Sequence, residues 1–380
     1  MAYFALQPLA FGAWLPCIPD VKAALGLSPG ALALCLLRMP VGTALALPFA
    51  GRVVAWLGVQ RVLLAGYPLF LACALLPVLA RSPAGLALAL AATGVAMSIL
   101  ELAMNVSADR IERQGGRLIM NTCHGFWSVG MMTGTLAGSA VLALAAPPWV
   151  AVGLAGVAAL PAALWIARRI TIPVAAVLPG PPSAEGPPLP VWADRRLIGL
   201  GLFILGIGMT EGAIADWSAL YLREVFGFGP GGAGLGYAVF AALLTAGRFA
   251  GDGLKARLGA LPVARACLLL ALAAVGLLVL APSPHLAHAA FGAVGLGVSV
   301  GFPLAVSAAA RLPGRPSERS VAALTFMALS GFLIGPVVIG WLAETGGLQL
   351  GLAALLPGLM VSLAASGALR AGRPPLDPRQ

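Results

Sequence analysis

Apolar stretches long enough to cross a bilayer, about 20 residues each, recur along this chain from one end to the other. Twelve can be read in its 380 residues, at 2–19, 30–50, 61–80, 83–108, 118–145, 148–167, 196–222, 231–251, 262–281, 284–309, 318–343 and 348–369. Core helices of soluble proteins imitate one or two such stretches, but not a dozen. Composition agrees: 9% of residues are charged, against about 25% in an average soluble domain. The pattern predicts an all-α integral membrane protein with twelve transmembrane helices.

The net charge of +10 invites a nucleic-acid reading, and its distribution argues against one. With the spans placed as above, Lys22, Arg81 and Arg223 fall on one side of the membrane and Arg38 within the second span. The other nineteen of the 23 basic residues fall on the opposite side. Basic residues concentrate in cytoplasmic loops, so the rich side, with both termini, is expected to be cytoplasmic. Residues 1–19 lack a basic n-region and read as a first span rather than a cleaved signal. They also lack the usual basic lead-in, as though the true start lay upstream.

Offset by about 200 residues, the chain repeats its own landmarks. Gly51 matches Gly251, and Val106-Ser107-Ala108 matches Val306-Ser307-Ala308. One residue further out of step, Pro29-Gly30 matches Pro230-Gly231, while Gly130 and Gly134 match Gly331 and Gly335. Between the copies, residues 168–195 hold Pro173, Pro179, Pro181, Pro182, Pro187, Pro188 and Pro190, a density that forbids a continuous helix. The expected domains are a six-helix bundle at 1–167, a cytoplasmic linker at 168–195, a second bundle at 196–372 and a tail at 373–380. Tandem membrane bundles with a site between them are a common plan for secondary transporters.

Twelve spans in two six-helix repeats resemble the major facilitator superfamily, and local sequence strengthens the likeness. The loop Gly51-Arg52-Val53-Val54-Ala55-Trp56-Leu57-Gly58-Val59-Gln60-Arg61 is similar to the superfamily's Gly-x-x-x-Asp-Arg-x-Gly-Arg-Arg loop in its glycines and final arginine. It departs at Ala55 and Trp56. The second-half loop runs from Gly247-Arg248 through Gly251-Asp252 to Lys255 and Arg257. The resemblance implies a cytoplasmic conformational latch built on Gly51, Gly58, Arg61, Arg248, Gly251, Asp252 and Arg257. Three further stretches resemble a bacterial branch related to the fucose permease and rhizopine-transport groups. These are Gly12-Ala13-Trp14-Leu15-Pro16, then Ala103-Met104-Asn105 with Gly116-Arg117-Leu118-Ile119-Met120 and His124, and Glu211-Gly212-Ala213 through Asp216-Trp217-Ser218.

Ionisable groups inside a span are costly and tend to be functional. Glu101 lies nine residues before Arg110, roughly 13 Å inside the boundary at 1.5 Å per residue. Asn105, at i+4, shares its face. The next span returns antiparallel, which brings His124, Trp127 and Ser128 to a similar depth. Glu101 and His124 either satisfy one another between packed helices or serve a transferable proton. Asn105 either bonds across helices or lines a site with Trp127 and Ser128. In the second half, Glu211 falls near mid-membrane, and its repeat mate Phe11 is apolar; a purely structural role would recur in both halves. Asp216 is about 140° round the helix from Glu211. Trp14 and Trp217 are candidates for stacking on a solute, and Trp217 equally fits an interfacial belt. The proton-coupling candidates are therefore Glu101, Glu211 and His124. The substrate candidates are Asn105, Trp127, Ser128, Trp14, Asp216 and Trp217.

The glycine ladders Gly130-Gly134-Gly138 and Gly331-Gly335-Gly340 are expected to let helices slide where the two halves meet. The five cysteines lack metal-ligand spacing, and His285 with His288 has no third ligand, so neither a metal nor another cofactor is expected. No nucleotide-binding fingerprint is present. Together with the resemblance, this reads as a non-enzymatic carrier of a small sugar- or polyol-like solute by proton symport, with a monomer sufficient. The rivals are proton-coupled efflux of drugs or metabolites and, more distantly, a membrane-embedded enzyme or sensor.

Overall fold

A computed structural model of the chain describes residues 1–115, 119–170, 194–312 and 317–372. Every regular element among them is helical. The first half contains α1 (Ala2–Leu6), α2 (Leu9–Trp14), α3 (Ile18–Ala24), α4 (Pro29–Leu36), α5 (Arg38–Leu57), α6 (Val59–Leu75), α7 (Pro83–Gly115), α8 (Met120–Ala143) and α9 (Pro148–Arg169). The second contains α10 (Arg195–Phe226), α11 (Pro230–Ala233), α12 (Leu235–Leu258), α13 (Ala260–Leu280), α14 (Pro284–Val298), α15 (Gly301–Ala309), α16 (Ser317–Ala353) and α17 (Leu355–Ala365). Most of the expected linker and all of the expected tail lie outside the described residues.

Ten helical segments among the described residues are long and apolar enough to cross a membrane. Two local effects separate that number from the twelve stretches read in the sequence. The first stretch is broken into α1, α2 and α3, with Pro8, Pro16 and Pro19 at or beside the breaks, where each proline withholds an N–H donor. The last segment is a single run of 48 residues, Ala323–Arg370, far more than one crossing needs. Its backbone leaves the helix at Gly346 and Gly347 (φ 77°), between the stretches at 318–343 and 348–369.

The repeat is written into the backbone. Gly26 and Gly227 both take positive φ, as do Gly58 and Gly259, each pair 201 residues apart. Gly58 closes α5 and Gly259 closes α12 with nearly the same angles (φ 81°, ψ 148° and φ 85°, ψ 158°). Close helix crossings recur with the same offset. A methyl group at Gly94 would strike the backbone of Met39, and one at Gly295 the backbone of Phe240.

The glycine ladders correct the expectation placed on them. Gly130 and Gly134 pack on the backbones of Ala5 and Leu9, and Gly138 on Ala13, all within the first half. Gly331 and Gly335 pack on Leu205 and Met209 within the second. They bind each half to its own first helix rather than forming the surface between halves. Gly340 does cross between halves, onto Pro29 and Ala33, and Gly231 and Gly234 on α11 and its C-cap meet Ala143 and Ser139 of α8.

The halves are tied at one end by polar contacts. Lys22 pairs with Glu224 at 2.6 Å, and Asp20 with Arg223. Glu344 accepts hydrogen bonds from the Ser28 hydroxyl (2.5 Å) and the Gly30 amide (3.1 Å). At the opposite, arginine-rich end, Gly51, Arg61 and Arg257 are exposed. The side chain of Asp252 lies outside those described. The molecule is therefore closed at the Lys22–Arg223 end.

Candidate functional site

Arg248 is the pivot of the polar interior, and it is not where the loop reading put it. α12 continues to Leu258, which sets Arg248 ten residues, about 15 Å, inside the helix end. The count on the basic side falls accordingly from nineteen to eighteen. The Arg248 guanidinium donates to Glu211 Oε2 of α10 at 3.1 Å and to Ser128 Oγ of α8 at 2.9 Å. One bond stays within the second half and the other crosses to the first. Both side chains of the ion pair are about one-fifth exposed, so its charges are largely withdrawn from water and bound to one another. Immediately beyond, Phe249 packs at Gly125 of α8.

On the first-half side, the Ser128 hydroxyl donates a hydrogen bond to the His124 carbonyl at 3.3 Å. Trp127 donates its indole N–H to Gln7 Oε1 at 3.2 Å. Gln7 is fully buried at the break between α1 and α2, and its Nε2 has no partner. The His124 ring is exposed and meets the edge of Phe4, with centroids 5.7 Å apart. The alternative in which His124 satisfies Glu101 is not realised. Among the described residues Glu101 has neither an ion-pair nor a hydrogen-bond partner. It is partly exposed and shares one face of α7 with Ser98 and Asn105 (i−3 and i+4). Ser98 Oγ and Asn105 Oδ1 are buried and unpartnered as well. α7 thus presents a stripe of unsatisfied polar groups, where burying a polar group without a partner costs free energy.

In the second half Asp216, partly exposed, also has no partner among the described residues. The two tryptophan candidates are placed differently from expectation. Trp14 is 3% exposed and Trp217 0%, each enclosed in the apolar packing of its own half, so in this conformation neither ring offers a face to a solute. The Trp217 indole N–H is unpartnered. Spacing alone could not show this, because a tryptophan at an interface and one in a helix core have the same sequence neighbours.

The sequence reading missed Gln7, Tyr237 and the polar contacts at the closed end. A signal for the last was present. Asp20 and Arg223, and Lys22 and Glu224, are opposite charges at nearly equivalent repeat positions, which a two-fold arrangement brings face to face.

A family model described as "Major Facilitator Superfamily" matches residues 2–330. The chain is 34% identical over 366 residues to an uncharacterized MFS-type transporter of Yersinia pestis, covering 96% of this chain and 92% of that protein. It is 29% identical over 350 residues to the membrane protein MosC of Rhizobium meliloti, covering 91% and 83%. Among solved structures, the nucleoside transporter NupG (D323A mutant) superposes with a TM-score of 0.75 at 15% identity over 98% of each chain. A bacterial homolog of the human lysosomal transporter Spinster superposes with the same score at 16% identity, covering 98% and 95%.

Proposed function

The chain belongs to the Major Facilitator Superfamily, and from that premise we propose that it carries a small polar solute across a bacterial inner membrane together with protons. As a member it is a multi-pass membrane transporter rather than an enzyme, and it works by secondary transport with alternating access. The finer reading adds twelve passes in two six-helix halves, a cytoplasmic linker, both termini on the arginine-rich side, and function as a monomer.

The observation that carries proton coupling is Glu101. An unpaired carboxylate inside a span is tolerable when protonated or hydrated. Its protonation should therefore follow whichever side of the membrane the site faces. The Glu211–Arg248 pair is already satisfied and suits a different task. Arg248 holds Glu211 and Ser128 at once, so separation of α8 from α12 must break the Ser128 bond while Glu211 keeps the guanidinium oriented. Ser128, Asn105, Trp127 and Asp216 then line the solute path, with His124 at its exposed edge.

Proteoliposomes of the purified protein with a trapped pH indicator test this reading. Sugars, polyols and amines are added outside, with Glu101→Gln alongside. A solute-dependent pH change in the wild type that disappears in Glu101→Gln is expected. Solute entry with no pH change in the wild type would replace symport by uniport.

A further inference from the structure

Among the groups left unsatisfied in the interior are three acceptors, two carboxylates and one amide oxygen, as well as the donors Gln7 Nε2 and Trp217 Nε1. Glu101 and Asp216 are carboxylates without partners among the described residues, and Asn105 presents an unpartnered Oδ1. The cations nearby do not balance them. Arg248 is engaged by Glu211 and Ser128. Arg38 continues the exposed apolar stripe of Leu34, Leu45 and Phe49, the lipid-facing side of its span. Two carboxylates remain unpaired, and one of them, Glu101, is accounted for above as the proton carrier.

Asp216 has company of its own. α10 and α12 run antiparallel, with Glu211 opposite Arg248 and Leu222 packed over Gly236. That register puts Asp216 at a depth midway between Tyr237 and Arg248. Tyr237 and Arg248 are eleven residues apart, three turns, and therefore share a face of α12. Tyr237 is 6% exposed, and its hydroxyl has no partner among the described residues. It lies within electrostatic range of Asp216, Glu211 and Arg248. Asp216 and Glu211 leave α10 about 140° apart, and the buried phenol of Tyr237, in range of both, lies between the unpaired carboxylate and the charge-neutral ion pair.

We propose that this site recognises a protonated amine on the solute, with Asp216 as its counter-ion and Tyr237 as a neighbouring hydrogen-bond partner. An ammonium group supplies the missing charge and several donors at once. A neutral polyol leaves the carboxylate charge uncompensated, and an anionic solute adds to it. The inference rests on the transport reading and narrows its solute to a cationic class.

The test is thermal stabilisation of the purified protein in an amine-free phosphate buffer. Glucamine and 2-aminoethanol are titrated against the neutral sorbitol and ethylene glycol and the anionic gluconate and glycolate. The amines should raise the melting midpoint at concentrations at least tenfold lower than their neutral counterparts. Asp216→Asn, whose own melt without ligand establishes that it folds, should weaken the amine response about tenfold or more, and Tyr237→Phe about three- to tenfold. Three results overturn the proposal: equal or greater stabilisation by the neutral or anionic members, an amine response that survives Asp216→Asn, or no amine response at all. None of these touches the transport reading, since the measurement uses no gradient; that reading stands or falls by the pH-indicator assay.

Discussion

Glu101 and Glu211 occupy two halves that share one backbone plan, yet their surroundings are opposite. Glu211 is held by Arg248 at 3.1 Å, and Arg248 in turn holds Ser128. Glu101 lies on a helix face where Ser98 and Asn105 are also unsatisfied. The repeat supplies neither arrangement: at offsets of 200 and 201 the residues equivalent to Glu101 are Gly301 and Phe302, those of Glu211 are Phe11 and Ala10, and those of Arg248 are Pro48 and Leu47, none of them ionisable. The scaffold is duplicated and the chemistry is not. Glycines and prolines that set turns and crossings had to persist in both copies because the same backbone conformations recur. Charges inside the membrane were placed once each, since every additional one costs several kcal/mol.

The comparison breaks most visibly at Arg248. Arg248→Leu leaves Glu211 unpaired in a site about one-fifth exposed, which should cost about 3 kcal/mol and appear as a lowered melting midpoint in detergent. Pairing it with Glu211→Leu should recover most of that stability while transport remains lost. Recovery of transport along with stability would mean that the pair serves packing rather than transport.

Two symmetric substitutions test the other side of the contrast. Gly94→Leu and Gly295→Leu each force a side chain into a backbone crossing, and overpacking of this kind costs roughly 1–3 kcal/mol. The two penalties should agree to within about 0.5 kcal/mol, near the reproducibility of such measurements. A large difference would show that the halves share a plan without sharing its energetics.

At the carboxylates the asymmetry should return on a smaller scale. Glu211→Gln removes a charge that Arg248 needs and should cost about 1.5 kcal/mol, the range for hydrogen bonds to charged groups. Glu101→Gln removes a charge that nothing satisfies and should change stability by less than about 0.5 kcal/mol. Equal losses in the two melts would imply a partner for Glu101 and remove the reason for assigning it the proton.

Span positions, the tandem repeat and the family were legible because they are written in long apolar runs and in prolines and glycines whose backbone demands are local. The break at Gly346–Gly347 fell between two predicted stretches for that reason. Three things were not legible. Arg248 read as a loop residue because its neighbours match a loop motif, while the helix carrying it runs ten residues further. The glycine ladders announced close approach, but a small residue does not specify which helix approaches it. Trp217 looked available because Asp216 precedes it, although adjacent helical residues point about 100° apart and one is wholly buried while the other is not.

The smallest expected effect concerns the closed end, where the halves meet through exposed or half-exposed partners. Pairs of this kind contribute about 0.2–1 kcal/mol, so Lys22→Ala or Glu344→Ala should barely move the melting midpoint. That little energy nonetheless stabilises one side of a conformational equilibrium, and about 0.8 kcal/mol corresponds to a roughly fourfold shift in population. A spin-label pair placed across this end, for example at Ala23 and Arg223 neighbours such as Val225, should report a longer-distance population that grows severalfold in Glu344→Ala. The Ser28 hydroxyl and the Gly30 amide both donate to one oxygen of that carboxylate, so Glu344→Ala should open this end further than Lys22→Ala, which removes a single contact. The reverse order would place the closing energy at the tips of α3 and α10 rather than between α4 and α16.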